Sequence, residues 1–230
     1  NALAVILGAN LGTTIDSSIV GYIGFKLNIE NIALPVTGIA GIGYAIFNKR
    51  SAWYNWSRFL LGFSFLFVGL GYIKTGIEDI VQHVDLSQYE NSPVIIFFII
   101  GFIITTIIQS SGATMALTLS ALHAGAINLH DSMAITLGSE VGTTIKLFIA
   151  SIKGSAVKKR VALGNFIINI ITVGLVIIFL SPINKFIIEV IGIRDNLIAL
   201  VFFQSLINIF GIILFYPLLN VLGRFLERRF

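Results

Sequence analysis

Gln109, Ser110, Ser111 and Thr114, with Gly112 among them, interrupt an oily stretch that reads "TTIIQSSGAT" over residues 105–114. The forty residues between Glu90 and Asp131 carry no Asp, Glu, Lys or Arg, and they begin "PVIIFFIIGFII", as apolar as a membrane span. A carboxamide and several hydroxyls supply hydrogen-bond donors and acceptors without fixed charge. A helix that opens at Ser110–Ser111 points free backbone N–H groups and hydroxyls at an anion. The competing reading is packing: Ser and Thr hydroxyls bonding back to carbonyls one turn earlier, or gluing neighbouring helices together. A Gln, two Ser and a Gly side by side favour the ligand reading.

The elements that must hold this cluster follow from composition. The 230-residue chain is 56% hydrophobic and 11% charged, against about 25% charged in soluble domains. Long apolar windows and the absence of alternating patterning indicate a helical integral membrane protein, not a membrane barrel. With no cysteine, disulfides and thiolate metal sites are excluded. The net charge of +4 sits in short clusters between apolar runs, which is a topology signal and not a nucleic-acid footprint. The start, "NALAVILGAN", has neither an initiating Met nor a basic leader, so residues are expected upstream.

Uncharged runs at 31–48, 161–184 and 196–223 are each long enough for a core that needs about 20 residues. Segment 57–77 can cross if Lys74 snorkels to the interface. The clusters Lys49/Arg50/Arg58, Lys153/Lys158/Lys159/Arg160 and Arg224/Arg228/Arg229 are placed inside by the positive-inside rule. The polar stretch 78–92 then lies outside, and the C-terminus in the cytoplasm. Residues 219–230 read as an amphipathic end, and Trp53, Tyr54 and Trp56 as an interfacial belt.

Residues 1–16 placed over 131–146 match at seven of sixteen positions, including the GxxxGTTI pattern of Gly8–Ile15 and Gly138–Ile145. Charge-derived topology sends the two copies in opposite directions, which makes an inverted repeat: residues 1–80, an acidic extracellular loop over 81–92, and residues 93–230. Such repeats build secondary transporters with a midplane site on broken helices. Forty uncharged residues must still make an odd number of crossings. A hairpin that dips in and out, followed by a span, satisfies both conditions, with polar groups tolerated at depth where they face protein or water. Gly112, Gly138 and Gly142 permit breaks and close backbone approach.

"QSSGAT" followed by "GSEVGTT", with a second "GANLGTT" and the helices around Asn169 and Asn208, resembles the type II sodium-phosphate cotransporter family across essentially the whole chain. The resemblance implies an all-α transporter of inverted repeats, not an enzyme, that couples inward sodium movement to phosphate uptake by alternating access. It implies phosphate contacts from Gln109, Ser110, Ser111, Asn10, Thr13 and Thr143, and sodium contacts from Ser110, Ser111, Thr114, Thr14, Thr144 and Glu140. Sodium is the coupling ion, with no further metal and no cofactor. The setting is a lipid bilayer, and the absence of cysteine with the compact loops points to a prokaryotic plasma (inner) membrane; a homodimer is allowed and no nucleic-acid partner is expected. Three features depart from the family pattern. Gly112 stands where the family has a third Ser. Glu140 replaces the Asn kept at Asn10. The first repeat's QSS is absent, and is expected upstream of residue 1.

Glu140 reads as a cation ligand or as the partner of Lys146, and Asp16 with Lys146 as a structural pair or a functional one. His83, His123 and His130 read as surface or core histidines. The rival functions are a sodium-dependent carrier of another oxyanion such as sulfate or arsenate, an anion channel, and an intramembrane hydrolase. The last lacks any His within a helical turn of Ser110 or Ser111.

Overall fold

A computed structural model of the chain describes residues 2–25, 27, 29–83 and 92–229. Among these residues there are helices and no strands. In order they are α1 (Ala2–Ser18, running into a π turn, Ile19–Gly24), α2 (Glu30–Ile46), α3 (Ala52–His83), α4 (Val94–Ile108), α5 (Ser111–His123) and α6 (Leu129–Ser151). The chain continues with α7 (Ala156–Ile178), α8 (Leu180–Lys185, running into a π turn, Phe186–Val190), α9 (Asn196–Phe215) and α10 (Leu219–Arg229). Five described elements are long and apolar enough to cross a membrane: Ala2–Gly24, α3, α6, α7 and α9. The protein is an all-helical, multi-pass integral membrane protein. Many of its large apolar side chains lie outside, with Val5 and Ile39 each 72% exposed, while Thr105, Ser139, Glu140, Asn165, Asn169 and Gln204 are buried. Lipid removes any incentive to hide Ile or Val, and it penalises exposed amides and carboxylates.

Several sequence boundaries shift. The run 161–184 is not one span: α7 begins earlier, at Ala156, takes in Lys158, Lys159 and Arg160, and ends at Ile178. Pro182 falls in the short helix that follows, consistent with proline in the first turn of a new helix. The run 196–223 breaks at Tyr216–Leu218, around Pro217, and α10 follows with Leu219, Leu222 and Leu226 on its buried face. This is the amphipathic end expected there. Helix α2 has 17 residues, or about 25 Å of rise, at the short end of the length that crosses a bilayer core. The polar stretch from 78 is helical up to His83 as the end of α3, and residues 84–91 of the expected loop lie outside the described residues. Lys74 is tied to the end of the first element. Its ammonium donates to Gly24 O at 2.7 Å, at the end of the π turn, and sits 4.3 Å from the Phe25 ring centroid. A π turn leaves carbonyls without their usual i+4 donor, and this lysine serves one of them.

The sheath around "QSSGAT" is built by α4, α5 and α6. Helices α4 and α5 form a hairpin, and α4 packs along α6 more intimately than any other described helix pair. Glycine is what permits it. A Cβ on Gly101 would strike Ile135 O, one on Gly138 would strike Phe98 O, and one on Gly142 would come within 2.9 Å of Phe102 O. The contacts Phe98–Gly138 and Phe102–Gly142 advance together, as do Gly101–Ile135 and Thr105–Ser139, so the two helices run parallel. By the repeat, Gly8 and Gly12 of α1 correspond to Gly138 and Gly142, yet a Cβ on either would meet nothing within 4 Å.

Candidate functional site

The apolar helix α4 stops at Ile108 because Gln109 adopts a left-handed conformation, φ 59° and ψ 26°, while its N–H still bonds Thr105 O. It is the one non-glycine residue with positive φ among the described residues, a conformation that costs about 1–2 kcal/mol for a residue with a Cβ. Ser110 is extended and caps α5, its Oγ accepting from the Ala113 amide at 3.2 Å. The helix break expected at Ser110–Ser111 is therefore present. Its chemistry is two-sided. The C-terminal carbonyls of α4 and the first amides of α5, those of Ser111 and Gly112, meet at one tip, so a partial negative and a partial positive helix end lie side by side. A Cβ on Gly112 would meet only Ser110 Oγ, at 4.0 Å, so nothing crowds these amides. Gln109 and Ser110 are exposed, and Ser111 is half-buried.

The parallel register with α6 carries Gln109 to the level of the Thr143–Ile149 segment. The second GTT motif, whose Gly142 packs on Phe102 and Thr105, thus lies about one turn short of the QSS tip. A buried hydroxyl relay holds the hairpin there: Thr105 Oγ1 lies 2.8 Å from Thr114 Oγ1 and 2.8 Å from Ser139 Oγ. With one hydrogen per hydroxyl, Thr105 donates one of these bonds and accepts the other. Thr105→Val keeps the shape, leaves Ser139 Oγ without a partner among the described residues, and leaves Thr114 Oγ1 only Ser110 O at 3.2 Å. We expect a loss of about 1–3 kcal/mol, measurable as earlier thermal unfolding in detergent.

Both GTT motifs lie inside unbroken helices, α1 and α6, so the breaks expected at those motifs do not occur. Their threonines bond back to their own helices: Thr13 to Asn10 O, Thr14 to Leu11 O, Thr143 to Glu140 O and Thr144 to Val141 O, at 2.6–2.7 Å. These hydrogens are spent, while the oxygen lone pairs remain, which suits a cation better than an anion. Helix α5 packs against both α1 and α6, so it stands between the two motifs. Asn10, at the head of the first, donates to Asn169 Oδ1 at 3.3 Å, and Asn169 donates to Asn165 Oδ1 at 3.1 Å.

Glu140 does not face Lys146. It is buried, 4% exposed, and accepts from Gln204 Nε2 of α9 at 3.3 Å. Six residues along a helix turn a side chain about 240° around the axis, so Lys146 emerges on another face, exposed, as is Asp16. Among the described residues neither of them forms an ion pair with the other or with Glu140. His83 and His123 are exposed, and half-buried His130 bonds Ser181 Oγ at 3.1 Å.

Sequence reasoning missed Gln204 and Asn165. The signal was available: Gln204/Asn208 and Asn165/Asn169 are amide pairs spaced four apart on single faces of apolar helices, where polar groups are costly and so rarely idle. All four are buried, and Gln204 Oε1, Asn208 Nδ2 and Thr172 Oγ1 have no hydrogen-bond partner among the described residues.

Comparison with known proteins places this arrangement. "Uncharacterized protein YqeW" of Bacillus subtilis is 28% identical over 234 residues, covering 98% of this chain and 71% of that protein. "Putative inorganic phosphate export protein YjbB" of Salmonella typhimurium is 24% identical over 237 residues, covering 99% of this chain and 41% of its own length. The protein of the same name in Escherichia coli K12 is 26% identical over 180 residues, covering 74% of this chain and 31% of that one. The chain therefore spans well under two thirds of the YjbB proteins. No solved structure matches. The sequence model of the Na+/Pi-cotransporter family aligns with residues 1–75 and 84–205, taking in the hairpin tip, both GTT motifs, the amides of α7 and Gln204 of α9, and this chain belongs to that family.

Proposed function

We propose that the chain is the transport core of a sodium-coupled inorganic phosphate symporter working by alternating access. The observation that carries this is the hairpin tip, where Gln109 breaks the helix and the α5 amides open beside the α4 carbonyls. A phosphate with one or two charges must exchange its hydration shell for many donors. The amides of Ser111 and Gly112, the Gln109 carboxamide and the Ser110 and Ser111 hydroxyls supply them. Sodium needs hard oxygens. The α4 carbonyls, Thr114 and the back-bonded threonines Thr13, Thr14, Thr143 and Thr144 offer them, with Asn10 beside the first pair. Pairing anion with cation lowers the cost of carrying either through a low-dielectric core.

In this reading residues 1–80 and 93–230 are inverted repeats in a bacterial inner membrane with a cytoplasmic C-terminus. The YjbB names say export. A symporter is reversible, and its direction follows the two solute gradients, so the reading concerns coupling and not sense. The test is uptake of labelled phosphate into proteoliposomes holding the full-length protein. We expect accumulation driven by an inward sodium gradient, abolished by replacing sodium with choline. Uptake indifferent to sodium sinks the reading. Stronger competition by sulfate or arsenate than by unlabelled phosphate makes the protein a carrier of that oxyanion, and a flux that never exceeds the phosphate gradient makes it a channel.

A further inference from the structure

The repeat sets up a comparison between Asn10 and Glu140, which occupy equivalent positions. In the first copy the group is a neutral amide closed into a chain of amides, Asn10 to Asn169 to Asn165. In the second copy it is a carboxylate buried to 4% exposure. Its hydrogen-bond partner there is the Gln204 amide nitrogen at 3.3 Å, and no described cation pairs with it. Burying an ionised carboxylate behind one long hydrogen bond from a neutral donor leaves most of its desolvation cost unmet.

The surroundings are incomplete in the complementary sense. Gln204 is 2% exposed, and its Oε1, an acceptor with no hydrogen to give, has no partner among the described residues. One turn further along the same face of α9 is Asn208, 7% exposed, whose Nδ2 is also unpartnered among the described residues. A half-turn of that amide presents its oxygen instead. Carboxylate and amide oxygens are the donor set of a hard cation. Among the described residues no three His, Asp or Glu side chains converge, so a single negative charge is on offer, which fits a monovalent ion and not zinc. Helices α6 and α9 are in contact along this seam. Glu140 also points away from the hairpin: its neighbour Ser139 faces Thr105 of α4, while Glu140 faces α9.

We infer that Glu140 and Gln204, with Asn208 one turn away, form a sodium site at the α6–α9 interface, separate from the hairpin tip. This rests on the sodium-coupled reading for its role in transport, but its existence is tested without transport. The experiment is saturable binding of radioactive sodium to the purified full-length protein in detergent, without phosphate, on wild type, Glu140→Gln, Gln204→Met and Asn184→Ala. Glu140→Gln and Gln204→Met keep side-chain volume close, so one can substitute for the other if either fails to fold. Asn184 has a buried Oδ1 elsewhere, on α8, that is unpartnered among the described residues, and controls for orphaned polar atoms in general. We expect sodium affinity to fall about tenfold or more in Glu140→Gln and Gln204→Met, and to hold in Asn184→Ala. In proteoliposomes the sodium concentration for half-maximal uptake rises in the same two variants, while discrimination between phosphate and sulfate stays put. Unchanged sodium binding in both variants overturns the site even where sodium-driven uptake persists. Sodium binding lost in both variants of a protein that never couples sodium to phosphate keeps the site and sinks the symport reading. A wild type that binds no sodium, and is driven by a pH gradient, overturns the site.

Discussion

Gly138→Ala destabilises the protein by about 3 kcal/mol, and little folded material is recovered from the membrane. The new methyl would lie where Phe98 O now sits, against the Phe102 amide as well. Backbone cannot rotate aside as a side chain can, so α4 must lift off α6 and the Thr105–Ser139 bond at 2.8 Å goes with it. Gly8→Ala, at the equivalent position of the first copy, meets nothing within 4 Å and gains about 0.5–1 kcal/mol of helix propensity. Thermal unfolding of both variants in one detergent measures the difference. Equal behaviour of the pair removes the close approach of α4 and α6 as a determinant of stability.

Gln109→Ala and Ser111→Ala weaken apparent phosphate or sodium affinity about tenfold or more, since each donor to a charged ligand contributes about 1.5–3 kcal/mol. Folding and insertion are nearly untouched, because Gln109 is exposed and Ser111 only half-buried. Gln109→Gly separates chemistry from conformation. It relieves the strain of φ 59° and raises stability by about 1 kcal/mol, yet it lacks the carboxamide and should transport as poorly as the Ala variant. Initial rates of phosphate uptake against substrate and sodium concentration read the effect. Wild-type transport by all three variants reduces the tip to helix packing.

Part of this structure was legible in the sequence. A Gln, two Ser and a Gly inside forty uncharged residues can be accommodated in few ways at membrane depth, so the hairpin and its break at Ser110 followed from charge counting and hydrogen-bond accounting. The Gly138 and Gly142 contacts were legible only as a permission for close approach: a glycine shows that a neighbour can come near, not which one does. The GTT threonines were harder. Thr13 and Thr143 look alike as ligands or as helix back-bonders, and only geometry shows their hydrogens turned to Asn10 O and Glu140 O. The Glu140–Lys146 pair failed on helical arithmetic available from the start. The Glu140–Gln204 contact joins residues 64 apart in the chain, and nothing local in the sequence encodes it.

The glycine seam between α4 and α6 has a mechanical consequence. Two helices meeting backbone to backbone cannot slide past one another, since each glycine sits in a notch of the opposite chain, and so they form a single stiff beam. Any displacement of the QSS tip must swing that beam whole, and slip is confined to its outer faces, where side chains meet side chains. One of those faces is the α6–α9 seam, where a lone carboxylate rests on an amide. An ion held there would pin the beam to α9, and its departure would release it.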